Sequence, residues 1–83
     1  MKDYLFLAVD REDASQSTTS HFRSNLEPEL AFRFAFLEHQ GEDEGAEVED
    51  YYEDVVREDV VVGPEMVTYD EEFVTFILIP LKK

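Results

Sequence analysis

Cysteine and tryptophan are absent from this 83-residue chain, glycine and proline occur three times each, and only seven lysines and arginines stand against 21 aspartates and glutamates. Without cysteine there is no disulfide framework and no thiolate metal site, so stability has to come from the apolar core. A chain of this length is expected to be one domain, 1–83, near the small end of what folds without staples. The shortage of bases leaves a net charge of -14. That charge excludes a protein that binds nucleic acid by neutralising phosphates, and the same repulsion excludes binding to anionic membranes. Three glycines offer no glycine-rich phosphate cradle. The longest apolar runs, 4–9 and 73–81, are far too short to cross a bilayer. One lysine precedes Asp3 and no small-residue cleavage site follows the first apolar run, so no signal peptide is expected and a cytoplasmic location is.

What the chain does have is acid and aromatic content. Hydrophobic residues make up 43% of it, with seven Phe and four Tyr, which is enough for a core. Residues 42–59, EDEGAEVEDYYEDVVRED, hold ten of the 21 acids and one base, Arg57. As a helix over about 46–58, this stretch puts Val48, Tyr51, Tyr52, Val55 and Val56 at i, i+3, i+4, i+7 and i+8. These side chains fill an arc of about 140° at roughly 100° per residue. Carboxylates and Arg57 occupy the rest of the circle. As a strand, each face would mix valines or tyrosines with acids. The pattern predicts an amphipathic helix with an anionic outer face, ending before Asp59.

Around that helix the chain reads as mainly strand. Residues 4–9 and 73–81 are apolar on both alternating faces, the mark of central strands covered on both sides. Pro80 places the second run's end near the sheet edge or beyond the ladder. The polar stretch 11–25 reads as a loop with at most one helical turn. Over 30–38, Leu30, Phe32, Phe34 and Phe36 alternate with Ala31, Arg33, Ala35 and Leu37, which predicts a strand. The caps around it (Ser24 or Asn25 before, Gly41 after, with Glu27 and Glu29 near the start) point instead to a helix. Burial of a run of phenylalanines outweighs capping severalfold, so the strand is preferred. Val60–Val62 is extended, Gly63 and Pro64 break it, 66–69 resumes as a short strand, and 70–72 turns. The fold class is therefore α+β: a small, mainly antiparallel sheet of four to five strands with the acidic helix packed on it.

Residues that do enzyme chemistry are scarce. His21 and His39 are the only imidazoles, and Ser20 beside His21 is no sign of a triad, which is assembled in space. Carboxylate pairs abound by composition alone, and acid–base work needs environments that push two pKa values apart. A calcium loop with Gly45 at its sixth position would need acids where Gln40 and Tyr51 stand. Neither an enzyme activity, a cofactor nor a metal site is expected.

The acidic face is the remaining candidate for partner binding: Glu42, Asp43, Glu44, Glu47, Glu49, Asp50, Glu53, Asp54, Glu58 and Asp59. From Glu47 to Asp59 seven acids lie along roughly 18 Å of helix, at about 1.5 Å per residue. The linear density, one charge per about 3 Å, is close to the roughly 3.4 Å per charge along one DNA strand. This predicts a small acidic inhibitor, of the kind phages and mobile elements encode, that mimics nucleic acid. It would block the basic groove of an enzyme such as a CRISPR effector, restriction nuclease or DNA glycosylase. The partner is then a basic protein, with no direct nucleic acid and no membrane. An immunity- or antitoxin-type protein-binding module, with tyrosines as hot spots, is the alternative. A halophilic domain whose acids only hold water and salt is a further one.

Overall fold

The computed structural model describes residues 1–41 and 45–81. Five strands, β1 (Lys2–Asp10), β2 (Thr18–Ser24), β3 (Val61–Val62), β4 (Val67–Asp70) and β5 (Val74–Leu81), form one sheet in the order β2-β1-β5-β4-β3. Every neighbouring pair is antiparallel. Helix α1 (Pro28–Gln40) and the acidic helix α2 (45–59) are inserted between β2 and β3. The protein is thus an α+β fold.

Strand alternation sorts the sheet into two unlike faces. Phe6 and Ala8 of β1 stand in register with Leu78 and Phe76 of β5, which stand in turn beside Val67 and Tyr69 of β4, and Tyr4 continues the same face of β1. All of these are buried, and the helices supply Ala31, Phe32, Ala35, Phe36, Tyr52 and Val56 to the same core. Phe36 sits at the centre, its ring 5.1 Å from Phe76, 5.6 Å from Tyr52 and 6.0 Å from Tyr69. The edge-to-face pairs of Phe36 with Tyr69 and Phe76 add to the burial of the rings. The other face carries Leu5, Leu7, Val9, Ile77 and Ile79, which remain half-buried and lie outside the core cluster. β1 and β5 are indeed inner strands, but among the described residues the helices cover them on one side only.

Three further readings of the sequence need correction. Residues 30–38 belong to α1 and form no strand. The buried set Ala31, Phe32, Ala35 and Phe36 recurs at i, i+1, i+4 and i+5, a helical stripe. The period-2 pattern counted only the large side chains, whereas the two alanines let the helix approach the sheet closely. Glu29 in the first turn and Gly41 at the end fit the helix punctuation, but the helix opens at Pro28 with Glu27 as N-cap, not Ser24 or Asn25.

The stretch 11–25 is not simply a loop. A 3-10 turn, Ala14–Gln16, is capped by Asp13, whose carboxylate accepts from the Ser15 N–H, and β2 follows. As an edge strand, β2 sends only Phe22 towards the core, stacked 5.5 Å from Tyr4, so hydrophobic alternation could not announce it. Pro80 lies within a ladder, opposite Tyr4. It is tolerated because the pairing of β5 with β4 stops at Leu78, leaving β1 as its only neighbour there.

Gly41 ends α1 at φ 101°, where L side chains are strained although the space around it is open. Gly41→Ala is expected to cost about 1–2 kcal/mol, read as a lower urea midpoint with an unchanged slope. A neutral result would mean that the chain leaves α1 by another conformation.

Candidate functional site: the acidic helix and the groove beside it

Helix α2 begins α-helical over Gly45–Tyr51, passes through a π-helical turn, Tyr52–Val56, and finishes with Arg57–Asp59. In the π turn the Arg57 N–H donates to the Tyr52 carbonyl, five residues back. Residues four apart drift around an α-helix, and the wider π turn cancels that drift. Val48, Tyr52 and Val56 therefore stay on one line facing the sheet, with Tyr52 and Val56 buried and Val48 half-buried. Tyr51 and Val55 rotate off it and are each 44% exposed. The expected five-residue stripe is really a narrow row, and the helix runs on through Asp59.

The described carboxylates of the predicted face are all exposed: Glu47, Glu49, Asp50, Glu53, Asp54, Glu58 and Asp59. Glu42, Asp43 and Glu44 lie outside the described residues. Glu53 differs from the rest. It accepts from Arg33 Nε of α1 at 2.9 Å and from Arg57 Nη1 at 3.0 Å. The hydrogen bond from Arg33 above all, and the charge of Arg57, hold its carboxyl below the usual range. The Arg33 guanidinium also lies 5.8 Å from the centre of the Tyr52 ring. Glu53 is therefore a tie between the two helices. Among the described residues the other six acids have no ion-pair partner, so their charge is available to a partner.

Beside this face, α1 leaves Leu30 and Phe34 exposed at 52% and 45%. With Leu37 they floor an open groove of about 490 Å³, flanked by Glu38 and by Glu49 of α2. Sequence reasoning missed this groove, since it assigned Leu30 and Phe34 to a buried strand face. Arg33, set among the phenylalanines, was the clue that one side of this segment meets water. Elsewhere His39 packs its ring on Phe76 at 5.3 Å, and His21 lies 3.8 Å from Asp3. No three His, Asp or Glu side chains among the described residues converge to hold a metal ion.

The tyrosines make the packing testable by pH. Burial, then the charge of Glu29, pushes the Tyr52 phenol up to about 12. Burial, then the hydrogen bond to Tyr51, raises Tyr69. Burial likewise raises Tyr4, whose hydroxyl donates to the Leu26 carbonyl at 2.6 Å. Each group ionises more easily in the unfolded chain, so the stability it contributes is complete below about pH 10 and is lost as the pH rises towards 12 and beyond. Phenolate absorbance should therefore rise together with the loss of circular dichroism. Phenols that all titrate before unfolding would contradict this packing.

No family model, no curated protein and no solved structure matches the chain.

Proposed function

We propose that the protein is a small acidic inhibitor that occupies the nucleic-acid groove of a basic enzyme. The observation that carries this reading is the row of exposed, unpaired carboxylates on a single helix that is itself anchored by Tyr52, Val56 and Glu53. Carboxylates fixed on a packed helix lose little freedom on docking, and their field steers a basic surface towards them. The test is affinity capture from a bacterial lysate on the wild type and on a charge-reversed α2, with short duplex DNA or RNA as competing eluant. A nucleic-acid enzyme held by the wild type alone, and displaced by the oligonucleotide, is the expected outcome. Retention of the same proteins by both baits would sink the idea.

A second reading, an immunity- or antitoxin-type module that covers a protein surface without mimicry, is favoured by one feature. Leu30 and Phe34 of α1, in the groove beside Glu49, and Tyr51 and Val55 of α2 are exposed apolar or aromatic side chains near the acids, the residue types of interface hot spots. Under this reading, Phe34→Ala with Tyr51→Ala weakens capture more than charge reversal does, and oligonucleotides do not compete.

A further inference from the structure

Among the described residues, one face of the sheet is free of helices, and it is an apolar feature that neither reading uses. Its rows follow from the register: Leu5 beside Ile79, Leu7 beside Ile77, and Val9 beside Thr75, with Thr68 and Val61 extending the middle row across β4 and β3. The five aliphatics of β1 and β5 are only half-buried because they shield one another, and Val61 is openly exposed.

Charge on this face is paired. At one corner Asp3 meets Arg23 Nε at 3.2 Å, with His21 close by. At the diagonally opposite corner Arg11 meets Asp70 at 3.4 Å and donates to Thr75 Oγ1 at 2.6 Å. The acids of α2 lie on the other side of the sheet.

We propose that this face is a homodimer interface, with a second copy of the chain stacked sheet on sheet. Three considerations select a second copy over another partner. First, among the described residues the face carries no unpaired charge with which to select a basic or acidic protein, and its rows of similar aliphatics suit a self-complementary two-fold contact. Second, the area is sufficient. Strands about 4.8 Å apart and residues about 3.3 Å apart give a face of roughly 500 Å², so two faces bury about 1,000 Å², the lower bound for a specific interface. Third, the charge permits it. With layers about 10 Å apart, the two acidic helices end up on opposite outer surfaces about 30 Å from each other, several times the Debye length of about 8 Å at physiological salt. The dimer presents two anionic helices pointing in opposite directions.

Each copy carries a net charge of -14, so two copies repel one another. Salt therefore tightens the dimer, the reverse of its effect on an ionic contact made by α2.

The test is sedimentation equilibrium of the full chain across a range of concentration and salt. It compares the wild type with Leu7→Thr/Ile77→Thr, which keeps strand propensity, and with Phe34→Ser as a control on the other exposed apolar patch. The wild type and Phe34→Ser are expected to dimerise, more strongly at high salt, and the sheet-face variant to dissociate at least about tenfold more readily. A wild type that stays monomeric at millimolar concentration would overturn the proposal. So would a dimer that Phe34→Ser disrupts and the folded sheet-face variant retains.

Should the variant fail to fold, methyl NMR of the wild type decides. A soluble paramagnet should reach the Leu5, Leu7, Ile77 and Ile79 methyls in dilute protein and be shut out in concentrated protein. Equal access at both concentrations overturns the interface.

Discussion

Phe36→Ala is expected to abolish most of the protein's stability. The side chain is fully buried and its ring touches Phe32 of its own helix, Tyr52 of α2, Tyr69 of β4 and Phe76 of β5. It is thus the point where both helices meet the sheet. Truncating such a residue costs about 3–5 kcal/mol in lost transfer energy and cavity. At about 0.05–0.15 kcal/mol per residue, a chain of this size has only about 4–12 kcal/mol in all. The variant should be largely unfolded, or unfold at a much lower urea concentration.

Phe34→Ala, two residues away on an exposed side, is expected to cost less than about 1 kcal/mol. The contrast tests the helix itself, because in a strand Phe34 and Phe36 would share a face and behave alike. Equal losses in urea melts of the two variants would refute the packing described for α1.

The second large effect concerns the acidic face. Glu49→Lys, Asp50→Lys, Asp54→Lys and Glu58→Lys together change the charge of α2 by about eight units without touching a buried residue. Four exposed contacts worth about 0.7 kcal/mol each amount to about 2.8 kcal/mol, so binding to the captured target should fall about a hundredfold. The wild-type affinity should itself fall steeply as salt is raised.

Glu53 is left out of this set deliberately. Its reversal would face Arg33 and Arg57 with a third cation and loosen α1 from α2, so lost binding would not distinguish a surface effect from misfolding. Circular dichroism of the fourfold variant should match that of the wild type. A folded variant that binds undiminished would remove the acidic helix from the function. Unfolding of the wild type at low salt, with no partner at all, would favour the halophilic reading.

Much of what depends on residues close in the chain was readable from the sequence. The amphipathic α2, its anionic outer face and the two inner strands all declare themselves through local periodicity, because burial on one side of an element imprints that element's own period. The α+β class follows from them.

Tertiary structure decided the rest, wherever the deciding contact comes from far along the chain. β2 is a strand because β1 offers it a ladder, and its polar side chains announce no buried face. Residues 30–38 are helical because Ala31 and Ala35 fit closely over the sheet, which matters only once the sheet exists. The π turn took Tyr51 and Val55 out of the core. Arg33, 20 residues from Glu53, turned one acid of the candidate site into a tie between helices. The bare aliphatic face belongs to the same group. Apolar runs predict burial on both sides, and only the placement of both helices on one side left β1 and β5 half uncovered. Periodicity records how much of an element prefers to leave water, and the packing of distant segments determines which part does.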